Sequence, residues 1–307
     1  MRTSCDLAMI LLAGLVLFPT GCAKVHFICD DTVIWEGRDS FLSATLVTRT
    51  GFGTMRPKDV EVVFYADGVE VARARTGGEG YVYKIDRLPI ETETLEARAV
   101  VGGKEYRSQG RVFNWKEDRV VIICDIDGTI ARTSVTGLVF KERDTKSKPM
   151  PMSSEVLHAL SKKYHLAYLT ARPIYLREKS QAWLDNNGFP KAPLVTFIRV
   201  RESADAVRYK SEIIEAIHAL YPEALIGIGN AGTDMEAYAA NGMLPLIADD
   251  GEGRLFSAHA IQLQTWGQLA RFFDANERLL QDDDALRDVI TSGGMLLQPV
   301  IPWNAGS

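Results

Sequence analysis

The sequence predicts an α/β protein, a doubly wound parallel sheet preceded by a small all-β sandwich, on three observations. Val120–Ile130 reads VVIICDIDGTI, an apolar run that stops at two carboxylates one residue apart. A run of that length bounded by turn residues is the pattern of a strand buried on both faces, as in a parallel sheet. Beyond Lys116, strand-like and helix-like segments alternate, which is the signature of βαβ units. From about Gly37 to Trp115 the chain instead carries short runs rich in β-branched and aromatic residues with turn signals between them. With 307 residues, 46% of them hydrophobic and 24% charged, the chain is an ordinary globular length for about two domains.

The N-terminal segment stands apart. Arg2 is followed by the apolar run Leu7–Phe18 and then by Pro-Thr-Gly-Cys, a pattern that reads as a secretory signal over residues 1–21 and is too short for a membrane span. Gly21-Cys22 resembles the end of a bacterial lipobox, which implies acylation of Cys22 and an exported, membrane-anchored lipoprotein on the periplasmic or extracellular side of a bacterial envelope; simple secretion and a retained anchor are the alternatives. Residues 22–36 read as a linker. Over residues 37–115, strands are expected at Phe41–Thr48, Val60–Ala66, Val69–Ala74, Tyr81–Ile85, Leu95–Val101 and Tyr106–Phe113. Asp67-Gly68 supplies the positive φ angles of a two-residue hairpin. Six or seven short strands of this kind suggest an immunoglobulin-like sandwich, with a scaffold or adaptor role and an unnamed protein partner.

The α/β domain is expected over residues 118–275. Its strands are Val120–Cys124, Leu166–Leu169, Leu194–Ile198, Leu225–Ile228 and Leu244–Ala248. Helices are expected at Ser153–Lys163, Ile174–Asn187 with Gly188 as its stop, Lys210–Leu220, Asp234–Asn241 and Trp266–Leu280. Gln281–Asp284 reads as a solvated acidic face within a tail, residues 276–307, that has no assigned role.

Charge and cysteine usage narrow the partners. A net charge of -5 gives no electrostatic reason to expect nucleic acid. Once Cys5 and Cys22 are set aside, Cys29 and Cys124 are too few for a disulfide framework. His26, His158, His165, His218 and His259 lack the spacing of a zinc site.

The chemistry is concentrated at strand ends. Asp125 and Asp127 follow the first parallel strand, at the edge where open α/β sheets bind ligands. Two adjacent acids there repel one another unless a cation or a shared proton relieves them, which points to a metal-assisted nucleophile with an acid/base partner. Asp125-Ile126-Asp127-Gly128-Thr129 resembles the first motif of the haloacid dehalogenase (HAD) superfamily of phosphatases. Leu169-Thr170-Ala171-Arg172 closes the second strand, Lys210 opens a helix, and Gly229-Asn230-Ala231-Gly232-Thr233-Asp234 follows the fourth strand, so the later motifs arrive in the same order.

That resemblance implies a set of roles. Asp125 is the nucleophile that forms an aspartyl-phosphate, and Asp127 is the general acid and base. Thr170 and Lys210 hold phosphoryl oxygens, and Arg172 adds a contact to the substrate phosphate or forms a structural salt bridge. Mg²⁺ is held by the Asp125 side chain, the Asp127 carbonyl and the Asn230 side chain, all oxygen donors, while Asp234 orients water on the metal.

Asn230 stands where most of the superfamily has Asp. Together with Leu-Thr-Ala-Arg-Pro, Trp183-Leu184, Phe189-Pro190 and Gly-Asn-x-x-x-Asp followed by Ala237-Tyr238, it resembles the catalytic domain of lipin-type phosphatidate phosphatases over about Arg119–Asp250. No large cap fits between Asp127 and Thr170, nor between Thr170 and Asn230, so an open site and a membrane-lipid phosphate such as phosphatidate are expected. A phosphoprotein, sugar phosphate or nucleotide is the alternative substrate, and a non-catalytic lipid-binding module the alternative function.

Overall fold

The computed structural model describes residues 24–50, 53–132, 147–197, 206–248, 260–293 and 297. The expected signal segment and Cys22 lie outside the described residues. Two antiparallel sheets make the N-terminal sandwich. One contains β1 (Lys24–Cys29), β3 (Ser40–Thr50), β4 (Gly53–Met55) and β7 (Tyr81–Asp86), with β1, β4 and β7 all paired to β3. The other runs in the order β6 (Val69–Arg75), β5 (Glu61–Ala66), β8 (Leu95–Val101), β9 (Lys104–Gly110). Their inner faces share one core: Leu42, Ala44 and Val82 meet Val62, Phe64, Leu95 and Ala97. Alternation along β8 produces this, because Leu95, Ala97 and Ala99 point inward while Glu96, Arg98 and Val100 do not. The hairpin turn is as read, with Asp67 and Gly68 at φ 48° and 79°.

The expected linker is a correction. β1 and β2 (Thr32–Trp35) occupy most of residues 22–36. Asp30-Asp31 separates two short runs that are individually weak strand signals. What makes them strands is pairing: β1 lies against β3 along its whole length, and β2 runs parallel to β10 (Val112–Trp115). The strand expected over 106–113 is divided between β9 and β10 for the same reason, since each half finds a different partner.

The α/β domain has a six-stranded sheet with every neighbour parallel, in the order β13 (Leu194–Phe197), β12 (His165–Pro173), β11 (Val121–Asp125), β14 (Ala224–Gly229), β15 (Leu244–Ala248), β16 (Ile261–Leu263). Chain order therefore reverses between β11 and β14, and a crevice forms beyond the carboxyl ends of strands at such a switch point. The two faces of β11 feed two cores. Ile122 and Cys124 pack with α1 (Ser153–Ser161), α5 (Trp266–Ala275) and α7 (Asp283–Thr291) through Leu157, Phe272 and Leu286. Val121 and Ile123 pack with α3 (Ala206–Leu220) and α4 (Gly232–Ala240) through Ile214 and Met235.

Three boundaries differ from expectation. A 3₁₀ turn over Ile174–Leu176 precedes α2 (Arg177–Asn186), and Lys210 lies inside α3 rather than opening it. The helix expected over Trp266–Leu280 breaks at buried Asn276, whose amide donates to the Phe272 carbonyl at 2.9 Å; α6 (Glu277–Leu280) follows. Gln281–Asp284 is largely exposed, as expected, but the chain after it belongs to the domain. Asp282 caps α7 through the Ala285 N–H at 2.9 Å, and Leu286 and Val289 are fully buried, so the domain runs past residue 275.

The sandwich is locked to the sheet by a charged and an aromatic contact. Asp31 sits between two arginines: Arg177 of α2 at 2.7 Å and Arg111 at 2.7 Å; it also accepts the Leu194 N–H at 2.9 Å. Burial works against its charge, but Arg177, Arg111 and the Leu194 N–H outweigh this and hold its carboxyl below the usual range. Nearby, Trp115 stacks on His165 with centroids 4.3 Å apart, and Trp35 stacks on Tyr221 at 5.9 Å. Arg38 grips Glu223 at 2.6 Å.

Candidate active site

Asp125 is the last residue of β11 and is only 4% exposed. One of its oxygens meets the Lys210 ammonium at 2.9 Å; the other accepts the Thr129 hydroxyl at 3.0 Å. Burial pushes its carboxyl up to about 7, with Lys210 pulling the other way and Asp234 and Asp127 adding repulsion. The turn that follows depends on Gly128, at φ 80°; a Cβ there would run into the Asn230 amide. Thr129 closes the turn toward β14, its hydroxyl lying 3.3 Å from the Asn230 Oδ1 as well. Trp266 of α5 donates to the Thr129 carbonyl at 3.1 Å and so supports the loop from below.

Asp127 is held by β12. Arg172 meets both of its oxygens, Nη2 to Oδ1 at 2.7 Å and Nε to Oδ2 at 2.9 Å, and the Thr170 hydroxyl donates to Oδ2 at 3.2 Å. This two-pronged geometry is what guanidinium offers and ammonium does not. Arg172 is 5% exposed and is steadied in turn by Ser180 of α2, Nη1 to Oγ at 3.1 Å. Of the two roles open for Arg172, the salt bridge is the one its contacts fill. Ser180 carried no signal of its own in the sequence. Only the helical spacing from Arg177, which places both residues on α2 facing the sheet, connects it to the site.

Asp234 is more embedded than expected. Its Oδ2 accepts the Asn230 N–H at 3.2 Å and the Ala231 N–H at 3.1 Å, capping α4, while Oδ1 meets Lys210. Gly229 makes room, since a Cβ there would collide with the Asp234 side chain. Burial works to lower the Lys210 ammonium, but Asp125 and Asp234 outweigh it and raise it above its ordinary value. The switch point thus brings together Asp125, Asp127, Thr170, Arg172, Lys210, Asn230 and Asp234.

Three buried carboxylates, Asp125, Asp127 and Asp234, face two buried cations, Arg172 and Lys210. The donor set suits a divalent cation: Asp125 and Asn230 oxygens share the Thr129 hydroxyl. Among the described residues no group of three or more His, Cys, Asp or Glu side chains forms a metal cage. A hard ion keeping several waters does not require one. The two remaining thiols, Cys29 and Cys124, are free and buried.

Residues 122–246 match the family model described as "PITM 1-3, LNS2 domain", a lipin/Smp2-like domain related to the HAD phosphatases. The matched segment contains all seven of these residues. These findings support a HAD-type phosphatase. Among solved structures, the chain is similar to an L-2-haloacid dehalogenase at 18% identity, covering 41% of this chain and 58% of that one, with a TM-score of 0.31. It is also similar to a chain of the Pnkp1/Rnl/Hen1 RNA repair complex at 18% identity, covering 41% of this chain and 40% of that one, with a TM-score of 0.34. The M1 domain from titin is similar at 13% identity, over 30% of this chain and 94% of that domain, with a TM-score of 0.23. These are partial likenesses, and the assignment of the phosphatase-type domain does not draw on them. No curated protein matches the chain.

Proposed function

We propose that this chain is a Mg²⁺-dependent phosphomonoesterase that works through an aspartyl-phosphate on Asp125 and releases phosphate from a lipid such as phosphatidate. The observation that carries the reading is the convergence at the switch point of a buried strand-end carboxylate, Asp125, held by Lys210 and Thr129, with Asp127, Asn230 and Asp234. A phosphate ester repels a carboxylate nucleophile until positive charge neutralises both. Asp125 and Asn230, with the Asp127 carbonyl, are the groups that would hold Mg²⁺, which when bound supplies that neutralisation.

The chain's own residues divide the remaining work. Lys210 and Thr129 each take one lone pair, on different oxygens of Asp125, and so fix its orientation, leaving one lone pair on each oxygen for the cation and for phosphorus. As the phosphoryl group transfers, Lys210 gains a partner in the developing charge while Asp234 anchors it from behind. Arg172 and Thr170 hold Asp127 in one orientation, so that it can give a proton to the leaving oxygen and later take one from the water that cleaves the intermediate.

The lipid substrate is supported by the short segments between the motifs, which leave no room for a large cap. Among the described residues, α1 is the only helix between Asp127 and Thr170, and α2, β13 and α3 fill Thr170–Asn230. With the lipobox-like Cys22 as an anchor, the site would work on headgroups at the membrane surface. Among the described residues no helix is long and apolar enough to cross a membrane. The sandwich, in this reading Ig-like, would be the scaffold.

The test is phosphate release from dispersed phosphatidate and from soluble esters, each with Mg²⁺ and with EDTA, by the wild type and by Asp125→Asn. Release from the lipid that requires both Mg²⁺ and Asp125 is expected. Turnover of soluble esters alone would replace the substrate, and liposome binding without hydrolysis would turn the domain into a lipid-binding module.

A further inference from the structure

The stretch expected to be a linker is a strand, and this fixes where the N-terminal segment joins the fold. β1 begins at Lys24, two residues after Cys22, and pairs with β3 from its first residue, Lys24 opposite Arg49. Two residues span at most about 7 Å. Whatever holds Cys22 is therefore close to the Lys24–Arg49 end of the sandwich.

That end is the crevice end. Trp35 and Trp115 meet His165, where β12 begins, and Arg38 meets Glu223, just before β14, so this part of the seam lies at the amino ends of the parallel strands. Asp31 accepts the N–H of Leu194, which stands opposite Tyr168 in the middle of β12. Arg49 places its guanidinium 4.9 Å from the centre of the Tyr175 ring, two residues past the end of β12. From Lys24 to Asp31 the chain thus runs from the carboxyl ends of the sheet toward its middle. Tyr175 follows Arg172 by three residues, and Arg172 holds Asp127.

The side chains at this end suit a bilayer surface. Lys24 and Arg49 are exposed cations in a chain of net charge -5, and basic side chains beside a membrane are drawn to anionic headgroups. Both act on His26, with Glu178 opposing them. Met55 faces Thr48, the neighbour of Arg49 on β3, and is 60% exposed. Tyr175, with an apolar ring and a polar tip, is a residue type that collects at membrane–water interfaces. Because β11 and β12 are parallel, α1 between them starts at the carboxyl end of the sheet as well. Its N-cap is Met152, 53% exposed at φ 63°, a conformation uncommon for a side chain of that size.

We infer that the end of the molecule carrying Lys24, Arg49, Met55 and Tyr175 is a membrane-docking face, held on the bilayer by acylated Cys22, which turns the switch-point crevice toward headgroups of the leaflet that holds the anchor. This rests on the Cys22 anchor of the reading above and not on its chemistry. A rigid tether of two residues is what makes the orientation fixed.

The test uses the full chain, exported with its signal segment in a bacterial host, with acylation of Cys22 read by mass spectrometry. The protein is placed in vesicles of phosphatidylcholine and phosphatidylglycerol that carry a headgroup nitroxide. A thiol-reactive fluorophore is attached in Met55→Cys, in Met152→Cys or, at the amino end of the sheet, in Lys162→Cys; Cys29 and Cys124 are buried. Quenching is expected at the first two positions and not at the third. A Gly/Ser segment of about twenty residues inserted between Ala23 and Lys24 lengthens the reach to roughly 25 Å, and is expected to weaken quenching at both methionine positions without changing the melting temperature. Equal quenching at all three positions, quenching indifferent to the insertion, or an unacylated Cys22 would each overturn the proposal. Should Met152→Cys fail to fold, the Met55 and Lys162 positions decide alone. No phosphate release is read, so a failed hydrolysis assay leaves the docking face standing, and a failed quenching contrast leaves the chemistry standing.

Discussion

Two buried ionic clusters in this chain use the same residue types and are balanced differently. At the domain seam, Asp30 and Asp31 face Arg111 and Arg177, two charges against two, with the spare lone pairs taken by the Leu194 N–H and the Ser43 hydroxyl. At the switch point, Asp125 and Asp234 instead share one lysine, Lys210, while Arg172 is taken by Asp127. A matched pairing is what a structural latch needs, since every buried charge must be satisfied. Burial, with repulsion from Asp234 and Asp127, holds the Asp125 carboxyl up at about 7, the kind of perturbed group that a reacting centre uses. Burial alone would not have told the clusters apart, because Asp31 and Asp125 are both nearly inaccessible. The lysine shared by two carboxylates does.

The sharpest way to break this contrast is to remove one acid from each cluster and compare signs. Asp125→Asn is expected to lower the rate of phosphate release by about a thousandfold or more, the scale of losing a covalent nucleophile. It also relieves the repulsion between Asp125 and Asp234 over their shared lysine, so the melting temperature should hold or rise. Asp31→Ala is expected to do the reverse in stability. It leaves Arg111 and Arg177 facing an incomplete partner and costs about 3–5 kcal/mol. Denaturation followed by the fluorescence of Trp35 and Trp115 reads this cost at the seam. Equal destabilisation by the two variants would sink the distinction. A further check on the latch is the pair Asp31→Leu with Arg177→Met, whose joint cost should be well below the sum of the single changes.

A smaller effect is expected where the two clusters are linked. α2 carries Arg177, which belongs to the latch, and Ser180, which steadies Arg172 and through it Asp127. Ser180→Ala removes that one bond to a charged partner. It should slow turnover about tenfold, the kinetic equivalent of roughly 1.5 kcal/mol, with little change in melting. A shifted pH–rate profile would assign the loss to the orientation of Asp127, whereas an unchanged profile and rate would remove Ser180 from the site.

Much of the α/β domain was readable in the sequence because local pattern and tertiary role agree there. Val120–Cys124 is apolar on both faces because both faces are covered, and the motifs at Asp125, Thr170 and Asn230 sit at strand ends because that is where the crevice opens. The readings that failed share a cause. Lys24–Cys29 and Thr32–Trp35 become strands only through partners far away in sequence, β3 and β10. Asp283–Thr291 starts with the solvated acidic residues as read, but its capping Asp282 and the spacing of Leu286 and Val289 make a half-buried helix where a tail was expected. At the site, residue types gave the chemistry but not the pairing. Nothing local says that Arg172 would turn from the substrate to Asp127.

The mildest test concerns the aromatic half of the seam. His165 lies flat on Trp115, is edge-on to Trp35 at 5.3 Å, and has its Nε2 2.8 Å from the Glu117 carbonyl. Burial lowers its pKa below 6.5, with the Glu117 carbonyl pulling the other way and Arg119 reinforcing the drop. A histidine whose folded pKa is depressed binds fewer protons folded than unfolded, so stability rises with pH through that interval. The seam should therefore be strongest above pH 6.5 and weaken as pH falls below it, levelling off once the folded-state pKa is passed. His165→Phe keeps the stacking without the titration and should flatten this dependence. His218 also has a lowered pKa, from burial opposed by the Ala224 carbonyl, and makes the control: its ring lies on α3, outside the tryptophan stack. If His218→Phe, and not His165→Phe, abolished the acid weakening of the tryptophan signal, the balanced latch would owe its pH response to the helix beneath it rather than to the aromatic stack.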